Sequence, residues 1–174
     1  SWETGGDLRL AVEQAGISDS FVSCNGDVLT PMNLQYLLDF HRKCTSDLGT
    51  RATVALFEID GKSAKRFGVA EMEGEYVTLF QEKPEEYNLD RALVNAGYYV
   101  FDSSILDERD LYLPAKQCKL EHTLLEELAR KKGLAGCVIP LSYWIDVGTM
   151  ESYISAQSII LKRSGYIPPV LEYE

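Results

Sequence analysis

The chain has 174 residues, 45% of them hydrophobic and 25% charged, the profile of an ordinary globular protein long enough to bury a real core. A formal net charge of -10 argues against a nucleic-acid-binding surface, which needs clustered Lys and Arg. No apolar run approaches the roughly 20 residues of a membrane span and no signal-peptide pattern opens the sequence, so a cytoplasmic protein without a membrane or nucleic-acid partner is expected.

Thr4 to Ala15 reads as a first helix, with Gly5 and Gly6 in its N-terminal turn and Leu8, Ala11, Val12 and Ala15 as its apolar stripe. Phe21 to Cys24 is a short strand stopped by Asn25-Gly26. Thr30-Pro31 has the pattern of an N-cap followed by proline at the first helical position. Leu34, Leu37, Leu38 and His41 then repeat at helical spacing to about Cys44. Ala52 to Phe57 is an apolar, β-branched strand, and Gly61-Lys62-Ser63 a polar loop. Gly68 to Met72 and Tyr76 to Phe80 flank Glu73-Gly74-Glu75 as a hairpin. Leu93 to Phe101 is the longest strand candidate. Leu120 to Lys131 is an amphipathic helix carrying Leu124, Leu125 and Leu128. Gly136 to Pro140 and Tyr143 to Asp146 are short strands, and Thr149 caps a last helix to about Arg163. Pro168-Pro169 to Glu174 has the composition of a tail or the start of a linker.

Strands and helices alternate, then a hairpin interrupts. This predicts an α/β fold: a Rossmann-like mixed, mostly parallel sheet flanked by helices, with a β-hairpin insertion. In open α/β sheets ligands bind beyond the carboxyl ends of the strands, where Asp27 and Asp146 fall. The four cysteines show no metal spacing and are expected to be reduced. With only His41 and His122 available, a Ser-His-Asp or Cys-His nucleophile system is disfavoured, and His41 on its helix face is expected to pack rather than react.

The candidate chemistry lies in short islands. Asp27, in Asn25-Gly26-Asp27, and Asp146, in Trp144-Ile145-Asp146-Val147-Gly148-Thr149, are lone aspartates beside small residues. Mg²⁺ is commonly held by one or two carboxylates plus substrate phosphates, and glycine neighbours let such bulk approach the backbone. Turn chemistry explains either island alone, but as a pair they favour the metal. In Glu82-Lys83-Pro84 the glutamate can accept hydroxyl hydrogen bonds and the lysine can hold a phosphate; a charged, proline-blunted edge strand is the bland alternative. Asn95 and Gly97, inside an apolar strand, fit either close ligand approach or a satisfied structural Asn. Trp144 is expected to pack.

In this order the islands resemble the sugar-phosphate nucleotidyltransferases, or nucleotide-sugar pyrophosphorylases, over nearly the whole chain. The likeness leans towards the mannose-1-phosphate guanylyltransferase and glucose-1-phosphate nucleotidyltransferase branches. It implies the nucleotide-diphospho-sugar transferase-like fold. It places Thr4, Gly5 and Gly6 near the nucleobase, and Gly68, Glu82, Lys83, Asn95 and Gly97 around the sugar phosphate. Asp27 and Asp146 would hold Mg²⁺, Asp27 also lying by the nucleotide, with Asp27, Lys83 and Asp146 as the catalytic set. The implied substrates are a nucleoside triphosphate and a sugar-1-phosphate, and many relatives are homo-oligomers through a further β-helix domain. That family's opening Gly-x-Gly-x-Arg-Leu loop, which cradles the triphosphate, has no counterpart here. Residues 1–165 are therefore expected to be the C-terminal portion of a catalytic domain, N-terminally incomplete, with 166–174 a tail, and the isolated chain to recognise sugar phosphate better than it turns over. A non-catalytic regulatory relative and a nucleotide-sugar-dependent glycosyltransferase are the alternatives; against the latter, Asp27 is followed by Val28 and Leu29, with no second acid.

Overall fold

A computed structural model describes residues 2–106 and 117–164; the proposed tail at 166–174 lies outside the described residues. The elements are α1 (Glu3–Ala15), β1 (Phe21–Cys24), β2 (Val28–Leu29), α2 (Leu34–Leu48), β3 (Ala52–Asp60), β4 (Gly68–Glu73), β5 (Tyr76–Glu82), β6 (Arg91–Phe101), α3 (Glu126–Arg130), β7 (Leu134–Val138), β8 (Ile145–Asp146) and α4 (Met150–Ser164). They fall into two compact units. The larger comprises Ser1–Cys24 and Asn33–Pro140, the smaller Asn25–Met32 and Leu141–Glu174.

The larger unit holds a six-stranded sheet in the order β1-β6-β3-β7-β5-β4, with β4 also pairing β6 at Val69–Val94 and Ala70–Leu93. The mixed α/β expectation holds, but the balance of strand directions differs. Among the described pairings only β3–β7 is parallel. The reason is the long strand β6. Strands β1 and β3 do run the same way, as alternating strands and helices require, but β6 inserts between them antiparallel to both.

Strand β3 is the spine of the sheet. Ala52 to Leu56 are all buried, as a strand covered on both faces must be. Because side chains alternate, Ala52, Val54 and Leu56 face one core with Leu120, Leu124, Leu125 and Leu128. Thr53 turns the other way, towards α2, where its hydroxyl lies 3.0 Å from His41 Nδ1. Truncating any of those fully buried leucines to Ala is worth roughly 2–5 kcal/mol.

Several local expectations shift by physical cause. Helix α2 is capped by Asn33, whose Oδ1 accepts the Tyr36 N–H at 3.0 Å, not by Thr30. Thr30 follows strand β2, and its hydroxyl instead donates to the Tyr143 carbonyl at 2.7 Å. Of the expected α1 stripe Val12 is buried and Leu8 packs partly buried against the core, whereas Ala11 and Ala15 are exposed, and Gly5, Gly6 and Arg9 are the helix's other buried residues. The side-chain-free turn at Gly5-Gly6 lets the backbone of Cys118 dock there. Gly61–Arg66 is a 3₁₀ turn capped by the Asp60 carboxylate rather than an open loop. The helix expected from Leu120 starts as a π turn, Glu121–Leu125, that runs into α3.

In the smaller unit β2 and β8 form a two-stranded antiparallel ladder, Val28 opposite Asp146 and Leu29 opposite Ile145. Helix α4 follows, its start capped by Thr149, whose Oγ1 accepts the Ser152 N–H at 3.1 Å. Among the described residues no helix is long and apolar enough to cross a membrane.

Candidate functional site

The smaller unit brings the two lone aspartates together. Asp27 immediately precedes Val28, which pairs with Asp146, and the Val147 N–H donates to the Asp27 carbonyl at 2.8 Å. The Gly148 N–H donates to Asp146 Oδ1 at 2.7 Å, fixing that carboxylate. A Cβ placed on Gly148 would lie 2.9 Å from Asp146 Oδ1 and 3.7 Å from Asp27 Oδ2. Both carboxylates therefore border one small space that glycine keeps open, and both are exposed. Two carboxylates with room beside them suit a Mg²⁺ ion that takes its other ligands from phosphates and water. Among the described residues no group of three or more metal-ligating side chains offers a closed alternative site. An apolar groove of about 430 Å³, lined by Val28, Leu29, Val147, Tyr153 and Ile160 among others, also lies in this unit, but those side chains cannot hold a phosphate.

The larger unit carries a polar cleft of about 520 Å³, lined by Glu3, Thr4, Asp7, Glu82, Lys83, Lys119, Glu121 and His122. Glu82 ends β5 directly opposite Gly68 on β4. A Cβ on Gly68 would come within 2.7 Å of Glu82 Oε2 and 2.6 Å of Phe80 Cζ, so the glycine is what seats the Glu82 carboxylate. Lys83 is held in the left-handed region, with φ 47, and its N–H donates to the Phe67 carbonyl at 3.0 Å. Its ammonium lies 3.4 Å from Glu82 Oε1. Glu3, across the cleft, also has a positive φ of 60. Non-glycine residues in that region cost of order 1–3 kcal/mol each and cluster at functional sites. The π turn at Glu121 is a third irregularity on the same cleft, of a kind often found where a helix serves a ligand.

Thr4 belongs to this cleft too. Its hydroxyl oxygen accepts the Leu120 N–H at 2.9 Å and donates to Glu121 Oε2 at 3.3 Å, clamping the start of α1 to the π turn. Gly5 and Gly6 do not reach the cleft surface: both are buried, and their N–H groups donate to the Cys118 carbonyl at 2.9 and 3.3 Å.

Asn95 and Gly97 shape a bulge in β6. The register against β3 jumps from Tyr99–Val54 to Asn95–Leu56, so three residues of β6 oppose Ala55 alone. Gly97, at φ 75, makes the turn, and its N–H donates to Asn95 Oδ1 at 2.9 Å. Asn95 Nδ2 then donates to the Tyr99 hydroxyl at 2.7 Å. Burial pushes the Tyr99 hydroxyl well above the usual phenol range, the Asn95 bond offsets part of that, and the charges of Glu121 and Glu82 add to it. Tyr99 thus stays protonated at the base of the bulge.

A family model for nucleotidyl transferases matches residues 4–163. The chain belongs to the nucleotidyl transferase family. Mannose-1-phosphate guanylyltransferase 1 of Arabidopsis thaliana is 30% identical over 162 residues, 91% of this chain and 41% of that protein. A glucose-1-phosphate adenylyltransferase of Halalkalibacterium halodurans is 32% identical over 142 residues, 79% of this chain and 35% of its own length. This nucleotidyl transferase chain thus spans about two fifths of the curated relatives it matches. A Bacillus anthracis protein solved in complex with a sucrose, and named for glucose-1-phosphate thymidylyltransferase activity, superposes with a TM-score of 0.68. It covers 90% of this chain and 60% of the other at 22% identity, a likeness of fold.

In this nucleotidyl transferase the sequence reading missed Glu3, Asp7, Lys119, Glu121 and His122 as cleft residues. A signal was present. Lys119, Glu121 and His122 crowd polar groups at the start of a helix whose leucine periodicity dominates the pattern.

Proposed function

We propose that this chain is the sugar-phosphate-binding and metal-binding part of an enzyme that joins a nucleoside triphosphate to a sugar-1-phosphate, giving a nucleotide-sugar and pyrophosphate. The observation that carries the reading is the meeting of Asp27 and Asp146 at Gly148 from segments more than 100 residues apart in sequence. Turn chemistry alone gives no reason for that convergence. The Glu82–Lys83 cleft and the names of the relatives support the same reading.

A phosphate oxygen of the sugar-1-phosphate attacks the α-phosphorus of the triphosphate, and pyrophosphate leaves from the opposite side. The attacking oxygen is already ionised, so no general base is required, and the protein's task is positioning and charge neutralisation. Glu82, seated by Gly68, accepts hydrogen bonds from sugar hydroxyls. Lys83, its backbone fixed by the Phe67 carbonyl, presents its ammonium to the sugar phosphate. Thr4 holds Glu121 at the cleft wall. Asp27 and Asp146 would hold Mg²⁺, which when bound supplies neutralisation of the triphosphate charge. The described cysteines are free thiols, which supports a reducing compartment such as the cytoplasm.

The test is pyrophosphate release by the protein that carries this chain, with Mg²⁺, each common nucleoside triphosphate, and glucose-1-phosphate or mannose-1-phosphate. Release with one pair is the expected result and names the substrates. Absence of release and of sugar-phosphate binding across the panel would overturn the reading.

A further inference from the structure

We propose that Lys119 is a second cation for the phosphate of the sugar-1-phosphate, working with Lys83; the proposal rests on the reading of the cleft given above. A phosphate monoester carries between one and two negative charges near neutral pH. The cleft that is to receive it is acidic: its lining includes Glu3, Asp7, Glu82 and Glu121 against the cations Lys83 and Lys119. Lys83 by itself cannot balance the ligand, because its ammonium already lies 3.4 Å from the Glu82 carboxylate. Lys119 is different. Among the described residues its ammonium makes no hydrogen bond or ion pair.

The root of Lys119 is fixed while its end is free. Its carbonyl accepts the Thr123 N–H at 2.9 Å, and the next N–H, of Leu120, donates to Thr4 Oγ1 at 2.9 Å. The backbone that carries the lysine is thereby tied to the start of α1, and its exposed side chain lines the cleft from that anchor. An unpaired surface lysine is ordinary by itself. An unpaired lysine rooted on the wall of an acidic cleft, with a partly neutralised lysine on the same cleft, has a charge to spend only on an anion that enters. The side chain is exposed, so the interaction is screened, and its salt dependence is part of the prediction.

The experiment is calorimetric titration of glucose-1-phosphate and mannose-1-phosphate into the wild-type chain and into Lys119→Met, Lys119→Arg and Lys83→Met, at low and high salt. Thermal unfolding of each protein checks that the fold is kept. The expected result is that Lys119→Met keeps its melting temperature, binds the preferred sugar phosphate about tenfold more weakly at low salt, and loses much of its salt dependence. Lys119→Arg should recover most of the affinity, since it restores the charge on a stem of similar reach. Wild-type affinity in Lys119→Met overturns the assignment of Lys119 alone, as does a loss that Lys119→Arg fails to recover. If the wild-type chain binds neither sugar phosphate, the reading of the cleft itself fails, and Lys119 with it.

Discussion

Gly68 and Glu82 face each other across the β4–β5 hairpin, and a side chain on Gly68 would begin 2.7 Å from the Glu82 carboxylate. On the proposed reading the glycine shapes the sugar pocket without touching sugar. Gly68→Ala must displace either Glu82 or the Phe80 ring, whose Cζ would be 2.6 Å away. Overpacking of this kind costs about 1–3 kcal/mol, read by urea unfolding. We expect sugar-phosphate affinity to fall about tenfold as the carboxylate loses its seat. Unchanged affinity in a destabilised Gly68→Ala protein would show that Glu82 does not read the sugar.

On the proposed reading Asp27 and Asp146 hold the metal from the space beside Gly148. Three consequences follow for Asp146→Asn, which keeps the oxygen that accepts the Gly148 N–H. Without metal the variant should melt close to the wild-type temperature, because the Asp146 carboxylate is exposed and its hydrogen bond from Gly148 is kept. Its melting temperature should also no longer rise on adding Mg²⁺ with nucleotide, since a ligand stabilises only the state that binds it. Turnover in the enzyme that carries the chain should fall on the order of 100-fold or more, as for other losses of charge stabilisation at a reacting centre. An Asp146→Asn protein with a full Mg²⁺ shift would remove the pair from the metal site.

The strands were legible because their apolar runs are unambiguous: Ala52 to Phe57 and Leu93 to Phe101 both fall inside observed strands. The direction of pairing was not, because nothing local to β1 or β3 tells that β6, some 70 residues after β1, will slide between them. Local signals also compete. Thr30-Pro31 is a good helix start, yet the ladder that pairs β2 with β8 claims Thr30, and Asn33 takes the cap. The sequence marks Asp27 and Asp146 as lone aspartates at strand ends; the structure places Asp27 just before β2 and Asp146 within β8. The clamp of Thr4 on the π turn could not be read from the sequence, because its two hydrogen bonds join Thr4 to Leu120 and Glu121, 116 and 117 positions away, and leave no periodic trace. Asn95 shows a third case. Its sequence fitted both a ligand contact and a structural role, and its bonds to Gly97 and Tyr99 now account for the amide locally.

His41 supplies a pH dependence whose sign can be worked out. Burial pulls its pKa below the usual 6.5, opposed by the charge of Asp102 and assisted by Arg42. The unfolded chain therefore binds a proton that the folded chain refuses. Stability from this residue is complete above about pH 6.5 and is lost as pH falls through that value towards the lower folded pKa. Among the described residues its Nε2 has no hydrogen-bond partner, so a charged ring would have nothing there to donate to. Urea unfolding at steps from neutral pH down to about pH 5.5 should show the loss in wild type and a flatter profile in His41→Asn. Equal slopes in the two proteins would mean that the ring is not held neutral by burial.

The cysteines should separate sharply in reactivity. Cys24 is exposed at the end of β1, whereas Cys44, Cys118 and Cys137 are buried. The thiolate is the reacting species, and burial works against it twice, by blocking the reagent and by disfavouring the charge. Burial pushes the Cys44 thiol up to about 11, with the nearby Glu75 carboxylate adding to the effect, and pushes Cys137 up to about 12. At mildly alkaline pH the Cys44 thiolate is then only roughly one molecule in a few thousand, before any steric protection is counted. A chromogenic disulfide reagent should titrate one thiol per native chain quickly and the remaining three only in denaturant. Cys24→Ser should abolish the fast phase and leave the denatured count lower by one. A fast phase that survives in Cys24→Ser would mean that one of the buried sites opens readily. Because Cys44 packs from α2 and Cys137 lies on β7, labelling at either would report opening of that helix from the sheet.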